Sequence, residues 1–449
     1  MHRTFKKLSS TQIILLGFMA IILIGSVLLS LPISSTSGNS VPYIDALFTA
    51  TTATCVTGLV TLPTVSTWST FGQAVILILI QIGGLGVITV AAGFMMLLSK
   101  KISISSRIII QDSFNLNSLS GMVRFIKKVI VGCFVIEAIG ALLYMTVFVP
   151  EYGLKGVWIS IFNSVSAFCN AGIDIIAEDS LCRYALNPII NITTMILIFM
   201  GGIGFIVWWD VIRVFREKKK HKFSFLSLHS KIALTVTAFL ILSGGILFFI
   251  FERNNPLTMK ELSLFDQIQM SLFQSVTTRT AGFATIPQEN LTTASSIVSI
   301  FLMFIGGSPV GTAGGIKTVT LLVLMCTAFV TVRNRKTIDV FDRQISENAI
   351  RKAIAVFVIS GTVVLLSTLL LSTVSNGSFL DILYETVSAT ATVGLTRNFT
   401  ATLNTIGKVI IIATMYFGRV GPISLVIAFN LSKQKGNVID NPVEDISVG

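Results

Sequence analysis

The chain has 449 residues, of which 53% are hydrophobic and 12% charged; its apolar residues fall in long runs, which excludes the set of soluble domains that this length would otherwise predict. The net charge of +12 is spread over alternate loops, not gathered on one module, which excludes a nucleic-acid surface. Five cysteines without tight spacing (Cys55, Cys133, Cys169, Cys182, Cys326) and three histidines (His2, His221, His229) argue against a disulfide framework or zinc site and leave little for histidine-based catalysis.

A bilayer span needs about 20 mostly apolar residues. Runs near 12–31, 71–98, 129–149, 189–212, 231–251, 295–332, 353–374 and 406–429 meet that length. The first is too long for a signal peptide and lacks a small-residue cleavage site. Basic residues cluster in the N-tail (Arg3, Lys6, Lys7), after the second run (Lys100, Lys101, Arg107, Arg124, Lys127, Lys128), after the fourth (Arg213, Arg216, Lys218, Lys219, Lys220, Lys222), after the sixth (Arg333, Arg335, Lys336, Arg343, Arg351, Lys352) and in the tail (Lys433, Lys435). The opposite loops carry Glu151, Asp174, Glu178, Asp179, Glu252 and Glu261. This positive-inside pattern predicts eight spans with both termini cytoplasmic.

Between paired runs lies a short polar segment ending in glycine. The four copies are Thr54-Cys55-Val56-Thr57-Gly58, Phe168-Cys169-Asn170-Ala171-Gly172, Thr278-Arg279-Thr280-Ala281-Gly282 and Thr390-Ala391-Thr392-Val393-Gly394, with glycines 114, 110 and 112 residues apart. The period divides the chain into residues 1–110, 111–222, 223–340 and 341–449. Each unit reads as span, re-entrant segment, span. The re-entrant segment is predicted as a helix of about ten residues, too short at about 15 Å to cross, followed by an irregular strand. Non-helical backbone at that depth is tolerated only when buried in protein or lining a watery cavity. The expected fold is therefore an all-α integral membrane protein, with four pseudo-repeats around one central pore. Short helices aiming their C-terminal ends at the centre favour a cation there. Thr54, Thr278 and Thr390 could add hydroxyl oxygens at the inner end, with Phe168 breaking that ring. Asp45 and Asp381 each precede their glycine by 13 residues and read equally well as mouth charges or helix caps.

A second small-residue cluster recurs within the later run of each unit: Gly83-Gly84-Leu85-Gly86, Gly201-Gly202-Ile203-Gly204, Gly306-Gly307-Ser308-Pro309 and Gly418-Arg419-Val420-Gly421. In the first two, close helix packing accounts for the small residues. In the third, glycines 306, 307, 311, 314 and 315 with Pro309 cannot hold a helix, so residues 306–317, closed by Lys317, are predicted to break the span as a gate. Arg419 at mid-span costs about 2.5–3.5 kcal/mol to insert, and carbonyls of the 306–317 loop are its expected partner. Glu137 and Asp210 lie within or at the edge of a run but do not make a plausible catalytic pair, so a membrane enzyme is not predicted.

The segments Gln81-Ile82-Gly83-Gly84-Leu85-Gly86, Thr277-Thr278-Arg279-Thr280-Ala281-Gly282-Phe283, 306–317 and Gly418-Arg419-Val420-Gly421-Pro422 resemble the Trk, Ktr and HKT potassium-transport superfamily, most closely its bacterial Ktr-type membrane subunit. The resemblance covers nearly the whole chain. It implies a selectivity filter with one glycine per repeat, here Gly58, Gly172, Gly282 and Gly394, where K+ would bind. It assigns flanking filter positions to Thr54, Cys55, Val56, Thr57, Asn170, Ala171, Thr278, Thr280, Ala281, Thr392 and Val393. In that family four glycines go with potassium and a serine at the first position with sodium. The resemblance further implies a homodimer in the lipid of a bacterial cell membrane, a cytoplasmic nucleotide-binding ring subunit, and no covalent cofactor. Sodium-dependent uptake is common in the family; a sodium or ammonium pathway of the same fold is the alternative reading.

Overall fold

A computed structural model describes residues 10–86, 89, 90, 92, 122–217, 222–335 and 337–421. The distal parts of the runs at 71–98 and 406–429, both chain ends, and the basic residues Lys100, Lys101, Arg107, Lys218, Lys219, Lys220, Lys336, Lys433 and Lys435 lie outside the described residues.

The principal helices are α1 (Ser10–Ser30), α2 (Tyr43–Cys55), α3 (Thr70–Leu85), α4 (Met122–Tyr152), α5 (Leu154–Cys169), α6 (Pro188–Gly202), α7 (Phe205–Arg216), α8 (Leu228–Glu252), α9 (Leu264–Thr277), α10 (Thr293–Phe304), α11 (Thr318–Val332), α12 (Glu347–Val374), α13 (Phe379–Ala391) and α14 (Thr405–Val420). A two-residue antiparallel ribbon, β1 (Asp339–Val340) with β2 (Arg343–Gln344), precedes α12. Among the described residues α1, α4, α8 and α12 are long and apolar enough to cross a bilayer unaided. Their outward faces expose Ile24, Leu142, Phe239 and Leu365, which is unfavourable in water but suits contact with hydrocarbon chains.

Each long helix packs on the short helix that follows it: α1 on α2, α4 on α5, α8 on α9, α12 on α13. The third helix of each unit packs on the short helix of the next, α3 on α5, α6 on α9 and α10 on α13, and α14 returns to α2. The helices therefore close into a cycle. Side-chain caps start each of these third helices: Ser69, Asn187, Thr292 and Asn404 accept from Gly72, Ile189 and Ile190, Ser295 and Gly407 N–H groups. Each cap satisfies backbone donors that have no partner in the helix. The short helices have 13 to 16 residues, somewhat longer than the ten expected.

The second small-residue clusters do more than allow close packing. Helix α3 stops before Gly86 (φ 84°, ψ 135°), α6 before Gly204 (96°, 135°) and α14 before Gly421 (89°, 138°). These nearly identical torsions are open to glycine and strained for residues with a Cβ. The run at 189–212, expected as one continuous span, is bent by 96° between α6 and α7. Apolar composition alone carries no sign of that bend. Packing also operates as expected: a Cβ on Gly83 would run into the Thr54 carbonyl, on Gly201 into that of Phe168, and on Gly418 into that of Thr390.

Two ion pairs pin the short helices. Lys408 Nζ in α14 lies 2.5 Å from Asp45 Oδ1 at the start of α2. Arg397 Nε lies 2.8 Å from Asp381 Oδ1, and its guanidinium also donates to Gln288 O and Ser296 Oγ. Both carboxylates are thus inter-element anchors at helix N-termini, where negative charge is favoured.

We predict that Gly204→Ala costs on the order of 1–2 kcal/mol, the penalty of a left-handed torsion for an L-residue, plus a collision with Pro309 O. Gly202→Ala, with 3.4 Å to its nearest neighbour atom, should be milder. Thermal unfolding of the two variants in one detergent checks the order; equal midpoints would contradict it.

Candidate functional site

Each short helix ends in a turn of unusual backbone. Val56 (φ 56°), Asn170 (60°), Thr280 (66°) and Thr392 (51°), two residues before each glycine, are all left-handed. Three of the four are β-branched, for which that region is an outlier needing support from its surroundings. The support is local and repeated. Thr57, Ala171 and Val393 N–H groups each reach back to Thr52, Ser166 and Ser388 carbonyls at 2.8 Å. The hydroxyls of those same residues hold the next turn: Thr52 Oγ1 accepts from Gly58 N, Ser388 Oγ from Gly394 N, and Ser166 Oγ from Ile173 N. In the third unit, Ala281 N instead reaches Thr277 O, and Thr277 Oγ1 donates to Phe283 O. A hydroxyl six residues before the glycine in three of four copies was the signal available in the sequence; its supporting role was not read there.

The four glycines, Gly58 (φ 101°), Gly172 (64°), Gly282 (83°) and Gly394 (96°), meet one another. A Cβ on Gly58 would lie 2.6 Å from Ala171 O, on Gly172 2.6 Å from Ala281 O, and on Gly282 2.5 Å from Val393 O. On Gly394 it would strike Thr57 O. Each glycine therefore abuts the carbonyl that precedes the next glycine, and the fourth closes on the first. Any side chain here must overcome both a wrong-handed torsion and a carbonyl collision.

Of the hydroxyls expected at the inner end, those of Thr278 and Thr390 turn back to Ser275 O and Thr386 O, while Thr54 Oγ1 has no partner among the described residues. Phe168 is fully buried at the fourth position. Cys55 and Cys169 are buried free thiols packed behind the turns; Cys169 Sγ occupies the space that a Cβ on Gly84 would need.

Residues 305–317 form an irregular loop directly against the inner side of these turns. A Cβ on Gly306 would touch the Thr280 methyl and one on Gly314 the Ala391 carbonyl. Thr312 Oγ1 donates to Phe168 O at 3.2 Å, and Ser308 N and Thr312 N donate to Gly202 O and Gly201 O. Gly307 approaches both Ala313 and Gly202 O, and Gly311 approaches Gly201 O. Gly315 (φ 64°) returns the chain to α11. Lys317 Nζ donates to Ala313 O at 2.5 Å. Arg419 Nη1 donates to Thr312 O at 2.5 Å and Nη2 to Gly83 O. The expected partnership of Arg419 with the loop is therefore seen, and its second contact on the end of α3 was not foreseen.

On the other side of the glycines opens a cavity of about 450 Å³, lined by all four of them and by Asp174, Glu178, Asp179 and Glu289, with no lysine or arginine in its wall. Four carboxyl groups without a base favour cations in it. Burial pushes the Asp174 carboxyl up to about 6, against the pull of the Ser180 hydroxyl and the Ile176 and Ala177 N–H groups. Among the described residues no cluster of His, Cys, Asp or Glu could hold a resident metal.

The TrkH family model, a cation transport protein, matches residues 6–440. The chain belongs to this family. It is a multi-pass membrane protein of a cation transporter family, not an enzyme. It is 40% identical over 453 residues to the potassium/sodium uptake protein NtpJ of Enterococcus hirae, covering 100% of this chain and 99% of that protein. It is also 40% identical over 424 residues to the Ktr system potassium uptake protein B of Bacillus subtilis, covering 94% and 93%. The crystal structure of the potassium transporter TrkH from Vibrio parahaemolyticus shares its fold, with a TM-score of 0.71 at 18% identity over 92% of this chain and 84% of that one.

Above about pH 6 Asp174 is charged and below it the charge is lost. We predict that lowering the pH on the side of the acidic cavity from 7 to 5 weakens apparent cation affinity about two- to fivefold, the effect of ~0.5–1 kcal/mol of lost attraction. Asp174→Asn should be weak at both pH values and flat between them; an unchanged pH profile in this variant would show that the titrating group lies elsewhere.

Proposed function

We propose that this chain is the ion-translocating subunit of a bacterial potassium uptake system. The observation that carries this reading is the closed ring of glycines and carbonyls formed by Gly58, Gly172, Gly282 and Gly394 with Thr57, Ala171, Ala281 and Val393. Four carbonyl-bearing turns around one axis replace the hydration shell of a passing monovalent cation. The filter comprises these glycines with Thr54, Cys55, Val56, Asn170, Thr278, Thr280 and Thr392. The acidic cavity is its outer mouth, and the cyclic helix packing supports an eight-span pseudo-fourfold arrangement.

The 306–317 loop is the gate. It occludes the inner side of the filter and is held there by Arg419, whose guanidinium and the nearby Lys317 ammonium also oppose a cation in that space. A potential of 100 mV, negative inside, gives about 2.3 kcal/mol per inward monovalent charge, enough for accumulation without ATP hydrolysis by this chain. By the family resemblance, the membrane subunit works as a homodimer with a cytoplasmic nucleotide-binding ring that releases the loop; the positive-inside pattern of the loops puts both termini in the cytoplasm.

A second reading, sodium passage through the same pore, is favoured by one observation: the Enterococcus hirae relative is named for both potassium and sodium. Ammonium is a further cargo of this pathway class. Glycine at the first filter position supports potassium.

The test is ion preference in proteoliposomes. Gly58→Ser should raise the sodium-to-potassium flux ratio by about tenfold, the equivalent of ~1.4 kcal/mol; an unchanged ratio would overturn the filter assignment. Arg419→Ala, or a shortened loop that retains Gly306, should raise flux and leave ion preference nearly unchanged. Collapse of preference in those variants would place the loop in the filter and not in a gate.

A further inference from the structure

One residue of the third filter turn is absorbed by neither the filter nor the gate. Arg279 stands between Thr278 and Thr280, three residues before Gly282, and its side chain is buried at 6% exposure. The corresponding residues of the other turns are Cys55, Cys169 and Ala391, all small, so the guanidinium is specific to this unit. It does not pair with an acid among the described residues. Instead Nη2 donates to Gly306 O at 3.1 Å and Nη1 to Thr237 O at 3.3 Å, while Nε is without a partner there.

These acceptors have a particular placement. Gly306 is the first residue of the gate loop, and Thr237 lies in the middle of α8, the long helix behind the third short helix. Gly306 also packs on the Thr280 methyl, the left-handed residue next to Arg279. One side chain therefore ties the filter backbone to the hinge where α10 gives way to the loop. A long, rigid guanidinium with a planar donor fork transmits position better than a flexible ammonium. Charge-assisted bonds of this type are stronger than neutral ones. Arg419 holds the loop at Thr312, on its far side from Gly306, and belongs to α14. The loop also bonds to the second unit, where Thr312 Oγ1 donates to Phe168 O, but at its first residue, Gly306, the side chain that holds it is Arg279 of the third turn.

We propose that Arg279 is a positioning residue that couples ion occupancy of the third filter turn to the state of the gate loop. The inference rests on the filter and gate reading above. When a cation draws the four turns to their bonding distance, Arg279 holds Gly306 and the loop start in one register. When the turn relaxes, Gly306 is released. Coupling of this kind is reciprocal: filter occupancy shifts the loop, and the loop shifts filter affinity by the same factor.

The test is amide hydrogen exchange on the full chain in lipid nanodiscs, comparing potassium with N-methylglucamine, read on peptides covering 278–284 and 306–317. In the unmodified protein, potassium should slow exchange in both peptides, in the loop by about fivefold or more, the low end of typical couplings. In Arg279→Gln, potassium should still protect the filter peptide, but its effect on the loop should vanish. Arg279→Lys, which retains charge and can reach one carbonyl, should restore part of it. A loop that stays potassium-sensitive in Arg279→Gln would overturn the coupling role. So would loss of potassium protection in both peptides in both variants, since Arg279 would then simply build the filter. A loop indifferent to potassium in the unmodified protein, with the filter still protected, would refute coupling alone. No potassium protection of the filter peptide in the unmodified protein would refute the filter reading itself.

Discussion

Each of four glycines in this chain adopts a left-handed torsion and abuts the carbonyl that precedes the next, until the fourth meets the first. Most of the architecture can be traced to that constraint. The ring demands four turns with matching backbone, so four short helices must end at one depth and point inward. Their C-terminal ends carry partial negative charge, and backbone oxygens crowd the centre. Neither is stable in hydrocarbon without a cation or water between them. The long helices α1, α4, α8 and α12 supply the lipid-facing wall, and the third helix of each unit wedges its glycines against the turns.

The same crowding limits the inner side. Gly83, Gly201 and Gly418 touch the first carbonyl of their own unit's turn, so those helices cannot carry bulk at that level. Just beyond, Gly86, Gly204 and Gly421 end the helices with one shared torsion. In the third unit the 306–317 loop stands at this level, against Gly201 and Gly202 of the second unit. Arg419 inserts a charge where a glycine stands in the other copies and spreads it over carbonyls from the first and third units. The cost of a buried charge is offset here by backbone oxygens that accept charge-assisted hydrogen bonds.

Much of this was legible in the sequence. The period near 112 residues, the four glycines of the ring and the broken third span stand out because glycine and proline are rare in apolar runs and their spacing repeats. What was not legible depends on torsion or on distant partners. A run such as 189–212 reads as continuous because hydropathy records composition and not backbone angle, yet Gly204 bends it by 96°. Asp45 and Asp381 read equally well as mouth charges or helix caps, and their basic partners were not foreseen, because Lys408 is 363 residues away from the first and Arg397 lies beyond the glycine Gly394 from the second. The hydroxyls of Thr52, Ser166 and Ser388 looked like generic small residues until their contacts to the turns that carry the four glycines were seen. Arg279 carried no signal beyond being the one large charged residue among small ones.

The most direct measurement of the central claim is anomalous diffraction from crystals grown with rubidium as the potassium surrogate. The account predicts a dehydrated ion on the axis, bonded by the carbonyls of Thr57, Ala171, Ala281 and Val393 between the four glycines. Rubidium bound only in the acidic outer cavity, with the glycine ring collapsed and unoccupied in a flux-competent protein, would contradict it.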